Sequence, residues 1–95
     1  MSLPTPAPTA LDLGAAPRGF LGRILGLRQL ELGGLPAEEL ELRLLELGFV
    51  EGARVEILHQ GLFGGGDPIA VRIHTATIAL RRREAAAILV EPLDE

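Results

Sequence analysis

The spacing of hydrophobic residues predicts a helix in the middle of the chain. Leu40, Leu44 and Leu47 recur at helical intervals, which predicts a helix over Pro36–Leu47 with these leucines as its buried stripe. Proline is tolerated in the first turn of a helix, and glycine commonly supplies the left-handed residue that ends one. The helix is therefore expected to end at Gly48, with the next residue, a phenylalanine, folding back onto Leu44.

Outside this helix the pattern has a period of two, which is typical of strands with one buried face. Five strands are predicted: Arg18–Leu25, Arg54–Leu58, Ile69–Ile73, Ile78–Leu80 and Ile88–Val90. Gly26–Leu35 is expected either to be a linker or, through Leu30 and Leu32, to extend a strand. Gly52 is expected to lie in a tight turn, and Arg82–Ala87 to form a helical turn. Short strands at this spacing predict a mainly β fold with short helices, namely a small β-barrel of about five strands. The long helix is inserted after the first strand region.

Two further leucines of the predicted helix, Leu42 and Leu45, do not lie on the buried stripe. A helix turns by about 100° per residue, so both project well away from the stripe, among glutamates. Either the barrel wraps the helix on more than one side, or these leucines form a contact surface for another protein. The same leucines also make self-association plausible, in which the partner is a second copy of the chain.

Length and composition indicate a single small domain preceded by a tail. The chain has 95 residues and a mass of 10.1 kDa, and 47% of its residues are hydrophobic. Alternate prolines in Ser2–Ala10 favour extended geometry, so residues 1–10 are expected to be a disordered proline-rich tail and residues 11–95 the domain. The chain contains no Cys, which excludes disulfides, thiolate zinc sites and cysteine nucleophiles.

The charge of the chain argues against nucleic-acid binding. All nine basic residues are Arg, thirteen residues are acidic, and the net charge is −4, the wrong sign for binding nucleic acid through the overall field. One dense basic cluster, Arg81, Arg82 and Arg83, is a candidate contact for an acidic partner. No apolar run is long enough to span a membrane and no secretory signal is recognisable, so a soluble cytosolic protein is expected.

The glycine-rich segment Leu62–Pro68 is a poor candidate for a phosphate-binding loop. Such loops lead into a helix and usually carry Lys, whereas this segment precedes a predicted strand in a chain without Lys. Asp67 would also repel a phosphate. The segment is therefore predicted to be a flexible hairpin loop, with Phe63 exposed at its tip as a mobile partner contact.

The two histidines, His59 and His74, are the weak candidates for metal ligands. A metal site there requires that they meet across adjacent strands and that Asp67 or Glu56 completes the ligand set. The simpler interpretation is that both histidines lie at strand ends on a solvated face. No metal and no cofactor are therefore predicted. Neither histidine has a recognisable Ser or Asp partner for catalysis, and no enzyme activity is expected.

Several blocks of the sequence, taken together and in order, resemble the FeoA family of small bacterial proteins. The blocks are Arg43–Phe49, Glu51–Ile57, Gly66–Arg72, Ile78–Arg81 and Glu84–Ile88. The resemblance runs from about Gly19 to Val90. It implies an SH3-like β-barrel and a cytosolic accessory role in ferrous iron transport. It further implies association with the cytosolic portion of the membrane transporter FeoB, so that any contact with the membrane is made only through that partner.

Three features depart from the family pattern and concern loop surfaces. Glu51 stands where the family usually has proline, Thr75 stands where glycine is common, and the glycines Gly64–Gly66 lengthen a loop. The fold that the resemblance implies does not depend on these positions.

Two functions remain open at this point. The first is a FeoB-binding module, whose candidate contact residues are Leu42, Leu45, Phe63, Arg81, Arg82 and Arg83. The alternative is a metal-binding or metal-sensing barrel related to the C-terminal domain of iron-dependent repressors. An RNA-binding barrel is disfavoured because the chain is acidic and has no Tyr or Trp on which bases would stack.

Overall fold

The computed structural model describes residues 11–31, 34–60 and 66–93. They form six strands and two helices. The elements in chain order are β1 (Leu11–Asp12), β2 (Leu21–Leu27), α1 (Ala37–Glu46), β3 (Arg54–Gln60), β4 (Ile69–Ile73), β5 (Ala76–Leu80), α2 (Arg82–Ala85) and β6 (Ile88–Pro92), with a 3₁₀ turn at Leu13–Ala15. The mainly β fold predicted from the sequence is confirmed.

The six strands form one antiparallel sheet in the order β1-β6-β2-β3-β4-β5. The last strand of the chain therefore lies between the first two. Register shifts interrupt the β2–β6 and β3–β4 ladders, and such bulges increase the local twist of a sheet. The β1 and β5 strands are the two edges of the sheet.

The end of α1 is a Schellman motif built around Gly48. The backbone N–H of Phe49 donates to the carbonyl of Leu44 at 3.0 Å, and that of Gly48 donates to the carbonyl of Leu45 at 3.0 Å. Gly48 has a φ of 105°, a conformation that side chains beyond glycine adopt at a cost. Reversing the chain here places Phe49 in the core, fully buried, as the sequence predicts.

The core is mainly aliphatic, and it joins Leu40 and Leu44 of α1 to the inward-facing side chains of the sheet. Its largest fully buried side chains are Phe49, Leu13, Ile24, Leu40, Leu44, Ile57, Ile69, Ile73, Ile88, Val55, Val71 and Val90. No polar or charged side chain is buried among the described residues. The core is thus held by hydrophobic burial, which is non-directional, and it presents no interior polar group for chemistry.

One predicted core residue is misplaced. Leu47 is 37% exposed, whereas the helical spacing places it on the buried stripe. The reason is that α1 ends at Glu46 and Leu47 is already its C-terminal cap. The chain reverses immediately afterwards, so the core position expected for Leu47 is taken by Phe49.

The strand boundaries also differ from the predicted ones. The first predicted strand begins three residues later than expected, at Leu21, and continues to Leu27 into the predicted linker. The two-residue strand β1 and the 3₁₀ turn that follows it have no counterpart in the prediction. The remaining strands lie where the alternation places them: β4 has the predicted bounds, and β3, β5 and β6 are each two residues longer.

Candidate partner-binding site

The outward face of α1 carries Leu42, the most exposed large apolar side chain of the described residues, together with Leu45. Leu42 is 57% and Leu45 is 40% exposed, whereas Leu40 and Leu44 on the same helix are buried to 1%. The helix therefore has apolar residues on two faces, only one of which the sheet covers. Of the two alternatives left open by the sequence, the described residues do not show the barrel wrapping this side of α1. The part of Leu42 and Leu45 in binding a partner stays a prediction.

The apolar surface continues past the end of the helix. Leu47 and Val50 are 37% and 41% exposed, and they flank the reversal at Gly48. A turn follows directly, in which the Ala53 N–H donates to the carbonyl of Val50 at 3.0 Å. Gly52 has a φ of 88° within this turn, as predicted.

Arg82 is held inside the fold by several hydrogen bonds. Its guanidinium donates from Nε to the carbonyl of Gly66 at 2.6 Å and from Nη1 to the carbonyls of Gly14 and Ala16 at 2.6 and 3.3 Å. Its backbone N–H donates to Oδ1 of Asp67 at 2.8 Å. Arg82 thus joins the 3₁₀ turn, the start of β4 and the start of α2. This role was not visible in the sequence, because Gly14 lies 68 residues away.

The other two arginines of the cluster differ from Arg82. Arg81 and Arg83 are exposed, whereas Arg82 is half-buried. The backbone N–H of Arg81 donates to Oε1 of Glu84 at 3.0 Å, which places a carboxylate at the start of α2. The cluster therefore presents Arg81 and Arg83 as its solvent-facing charges.

The register of the sheet separates the two histidines. His59 lies opposite Ala70, and His74 follows Ile73 at the far end of the same strand pair. Four residues of strand separate them, about 13 Å at 3.3 Å per residue. The register therefore does not bring the two histidines together across adjacent strands, and both lie exposed near strand ends, as the main interpretation of the sequence has it. Within residues 11–31, 34–60 and 66–93, no group of three or more metal-ligating side chains is positioned to hold a metal ion.

The outer face of β3 and β4 carries an open depression of about 400 Å³. Its lining residues are Arg54, Val55, Glu56, Arg72 and His74. Glu56 lies directly opposite Arg72 in the β3–β4 ladder, so opposite charges face each other across the strands. The depression therefore has a mixed, mainly basic lining on the solvent side of the sheet.

Two predicted features lie outside the described residues. Phe63, the expected mobile contact, falls in the segment 61–65, and the expected proline-rich tail is residues 1–10. In the part of the chain that the structure describes, neither helix has the length and apolar character needed to cross a bilayer.

The fold defines a small SH3-like domain, and comparisons with known proteins identify its family. The sequence model of the FeoA domain matches residues 11–92. The chain belongs to the FeoA family. No curated protein sequence matches it.

Solved structures with the same fold include FeoA proteins of two bacteria. The Stenotrophomonas maltophilia FeoA crystallised with zinc is 28% identical and superposes with a TM-score of 0.71, covering 85% of this chain and 89% of that one. It is described as a prokaryotic SH3 domain protein and a candidate ferrous iron transport activating factor. The FeoA-like protein of Clostridium acetobutylicum is 26% identical with a TM-score of 0.73, covering 94% and 93% of the two chains. These similarities confirm the SH3-like fold.

A repressor also contains a similar domain. A manganese-dependent transcriptional repressor in complex with manganese is 25% identical with a TM-score of 0.70. The match covers 93% of this chain but 39% of the repressor. The chain therefore corresponds to one part of that protein, and the shared part defines a fold rather than a common activity.

Proposed function

We propose that the protein is a non-enzymatic accessory of bacterial ferrous iron transport that binds the cytosolic portion of FeoB and modulates the transporter. Membership of the FeoA family supports the transport role, and the family comprises transport-related SH3-like proteins rather than enzymes. The observation that carries the proposal is the pair of exposed leucines, Leu42 and Leu45, on a helix whose other face is fully packed.

The exposed leucines suit a protein partner because of how they are placed. Both lie on α1, which the Schellman motif and the buried Leu40 and Leu44 fix against the sheet. A partner therefore binds a rigid surface and loses little free energy to ordering it. Glutamates of the same helix surround the leucines, giving an apolar centre with a charged rim, the arrangement common to transient protein interfaces.

Calorimetric titration of the full chain against the cytosolic domain of FeoB tests this proposal. The double variant Leu42→Glu/Leu45→Glu is expected to weaken binding at least tenfold, about 1.4 kcal/mol. Leu25→Glu is the matched control, since Leu25 is 38% exposed on β2, and it is expected to bind as the parent does. Unchanged affinity of the folded double variant would remove the α1 face from the proposal.

A second candidate function is a metal-binding or metal-sensing barrel. The similarity to the manganese-dependent repressor supports it. Two observations argue against it. The sheet register separates His59 from His74, and the described residues contain no cluster of three or more side chains that could hold a metal ion. These observations favour FeoB binding over metal sensing.

A further inference from the structure

The strand β5 leaves a row of backbone groups open at the edge of the sheet. In the described residues it pairs with β4 alone. The turn between these strands has two residues, so Ile73 and Ala76 form the closing pair, whose backbone groups bond each other. Bonded and non-bonded pairs alternate along an antiparallel ladder. The N–H and C=O groups of Thr77 and Ala79 consequently point away from β4, into solvent.

Nothing in β5 protects this edge against another strand. In natural proteins, charged residues, proline or bulges in an edge strand usually prevent it from pairing with another chain. Residues Ala76–Leu80 include no charged residue, no proline and no glycine, and the β4–β5 ladder is regular over five pairs. Thr77 and Ala79 are both exposed and have small side chains. The edge is therefore a straight, accessible template for an extended chain.

The surroundings of this edge are basic although the whole chain is acidic. Residues 68–83 contain four Arg and no Asp or Glu, in a chain of net charge −4. Asp67 and Glu84 flank this range and accept hydrogen bonds from the backbone N–H groups of Arg82 and Arg81. Arg72 lies directly opposite Thr77 and is exposed, and the short Thr77 side chain leaves it room to reach toward an added strand about 4.8 Å beyond β5. Arg81, also exposed, follows β5 directly. The acidic Glu56 faces Arg72 from β3, on the side away from the edge.

The same charges disfavour a second copy of the chain as the added strand. In an antiparallel pair of two β5 strands, the residues after one strand lie beside the residues before the other. The Arg72 and Arg81 side chains of both copies would then be gathered around the paired β5 strands, which carry no carboxylate. Opposite charges across a strand pair stabilise it and like charges do not, so an acidic strand from a different protein fits better.

We propose that the open edge of β5 binds an extended, acidic segment of a protein partner as an additional strand. Backbone hydrogen bonds to Thr77 and Ala79 supply the register, and carboxylates of the segment face Arg72 and Arg81. This surface lies on a different element from the α1 leucines. The inference therefore stands whether or not α1 binds FeoB.

An NMR titration of the full chain with a synthetic peptide tests the inference. The probe is an acetylated, amidated peptide of sequence Glu-Val-Thr-Val-Glu-Val-Thr. It is expected to shift the amide signals of Thr77 and Ala79 and to slow exchange of both amide hydrogens about tenfold near saturation. A second peptide with lysine in place of glutamate is expected to bind about threefold to fivefold more weakly.

A third peptide, N-methylated at alternate residues, tests the backbone hydrogen bonds without altering the protein. It carries the same charges but cannot form the ladder, so it is expected not to bind. Binding as tight as that of the parent peptide would overturn the proposal. So would signal shifts confined to other elements, or concentration-dependent protection of Thr77 and Ala79 without peptide, which would identify a second copy as the occupant.

Variants of the chain give an independent readout. Ala79→Pro removes an N–H that points into solvent and is expected to abolish peptide binding, whereas Ala79→Thr keeps the N–H and is expected to bind normally. Arg72→Glu is expected to weaken binding of the acidic peptide, and Arg43→Glu, at an exposed arginine on α1, is its matched control. Equal binding by folded Ala79→Pro contradicts the inference; if that variant does not fold, the N-methylated peptide decides.

Discussion

The Asp67 carboxylate accepts a hydrogen bond of 2.8 Å from the backbone N–H of Arg82, while the Arg82 side chain donates back to the carbonyl of Gly66 at 2.6 Å. Arg82 is thus hydrogen-bonded to two consecutive residues, Gly66 and Asp67, which lie 16 and 15 positions earlier in the sequence. The backbone N–H at the start of a helix has no partner within it, and here Asp67 supplies one. This pair fixes where β4 begins relative to α2.

The first prediction concerns the stability that Arg82 contributes. Arg82→Ala is expected to lower the free energy of unfolding by about 1–3 kcal/mol, because it leaves the carbonyls of Gly66 and Gly14 without their donors. Arg82→Lys is expected to lose most of the same stabilisation, since lysine lacks the planar guanidinium group whose N–H donors point to several carbonyls at once. Urea unfolding followed by circular dichroism measures both. Arg83→Ala, at an exposed position, is the control and is expected to unfold as the parent does.

This prediction also separates two roles for the arginine cluster. If Arg82 acted mainly as a partner contact, its replacement would reduce binding while leaving the unfolding midpoint unchanged. A loss of stability in Arg82→Ala together with unchanged stability in Arg83→Ala assigns Arg82 to the fold. Arg81 and Arg83 then remain the candidates for contact with a partner.

A second prediction addresses the reversal at the end of α1. Gly48→Ala is expected to destabilise the protein by about 1–2 kcal/mol. Gly48 adopts a left-handed conformation with a φ of 105°, which is energetically unfavourable for a residue with a Cβ atom. An added Cβ would lie in ordinary contact with His74 at 3.6 Å, so the cost is conformational rather than steric. Thermal unfolding by calorimetry provides the measurement.

Gly26→Ala serves as the matched control for this substitution. A Cβ at Gly26 has nothing within 4 Å and its φ lies outside the left-handed region. This variant is expected to stay within about 0.5 kcal/mol of the parent. Equal losses in the two variants would contradict the role given to the left-handed conformation of Gly48.

A third prediction compares two leucines of the same helix. Leu44→Ala is expected to cost about 2–5 kcal/mol, because its side chain is 1% exposed and its removal opens a cavity. Leu42→Ala, at a side chain 57% exposed, is expected to change stability by less than about 0.5 kcal/mol. Chemical denaturation of both variants tests the two-faced character of α1. A large loss in Leu42→Ala would mean that its face is already covered.

A fourth prediction distinguishes FeoB binding from metal sensing. Equilibrium dialysis with ferrous iron and with zinc is expected to show no tight stoichiometric site that depends on His59 and His74, since the sheet register holds these side chains far apart. The parent and the His59→Ala/His74→Ala variant should therefore give the same result. Tight binding that the double variant loses would favour the metal-binding function instead.

Local sequence signals were sufficient to predict α1 and its ending. The proline at the helix start, the leucine spacing and Gly48 all act within a few residues, and the Schellman motif and the burial of Phe49 follow from them. Leu47 shows the limit of the same reasoning. Periodicity assigns it to the core, but it says nothing about the position at which the helix stops and the chain turns away.

Long-range pairing accounts for what the sequence did not predict. A strand of two residues such as β1 has no periodicity of its own and exists because β6 pairs with it. The contacts of Arg82 are made to carbonyls, which every residue has, so no side-chain pattern marks them. The separation of His59 from His74 and the open edge of β5 likewise depend on register and strand order, which alternation alone does not specify.

The position of β6 between β1 and β2 affects how the protein folds. Ile88–Pro92 follows the other described strands in chain order, yet β1 and β2 both pair with it rather than with each other. The sheet is therefore complete only when residues near position 90 reach residues near positions 11 and 24. Pairings of such long sequence separation slow folding, so the final ladders are expected to form late in the folding reaction.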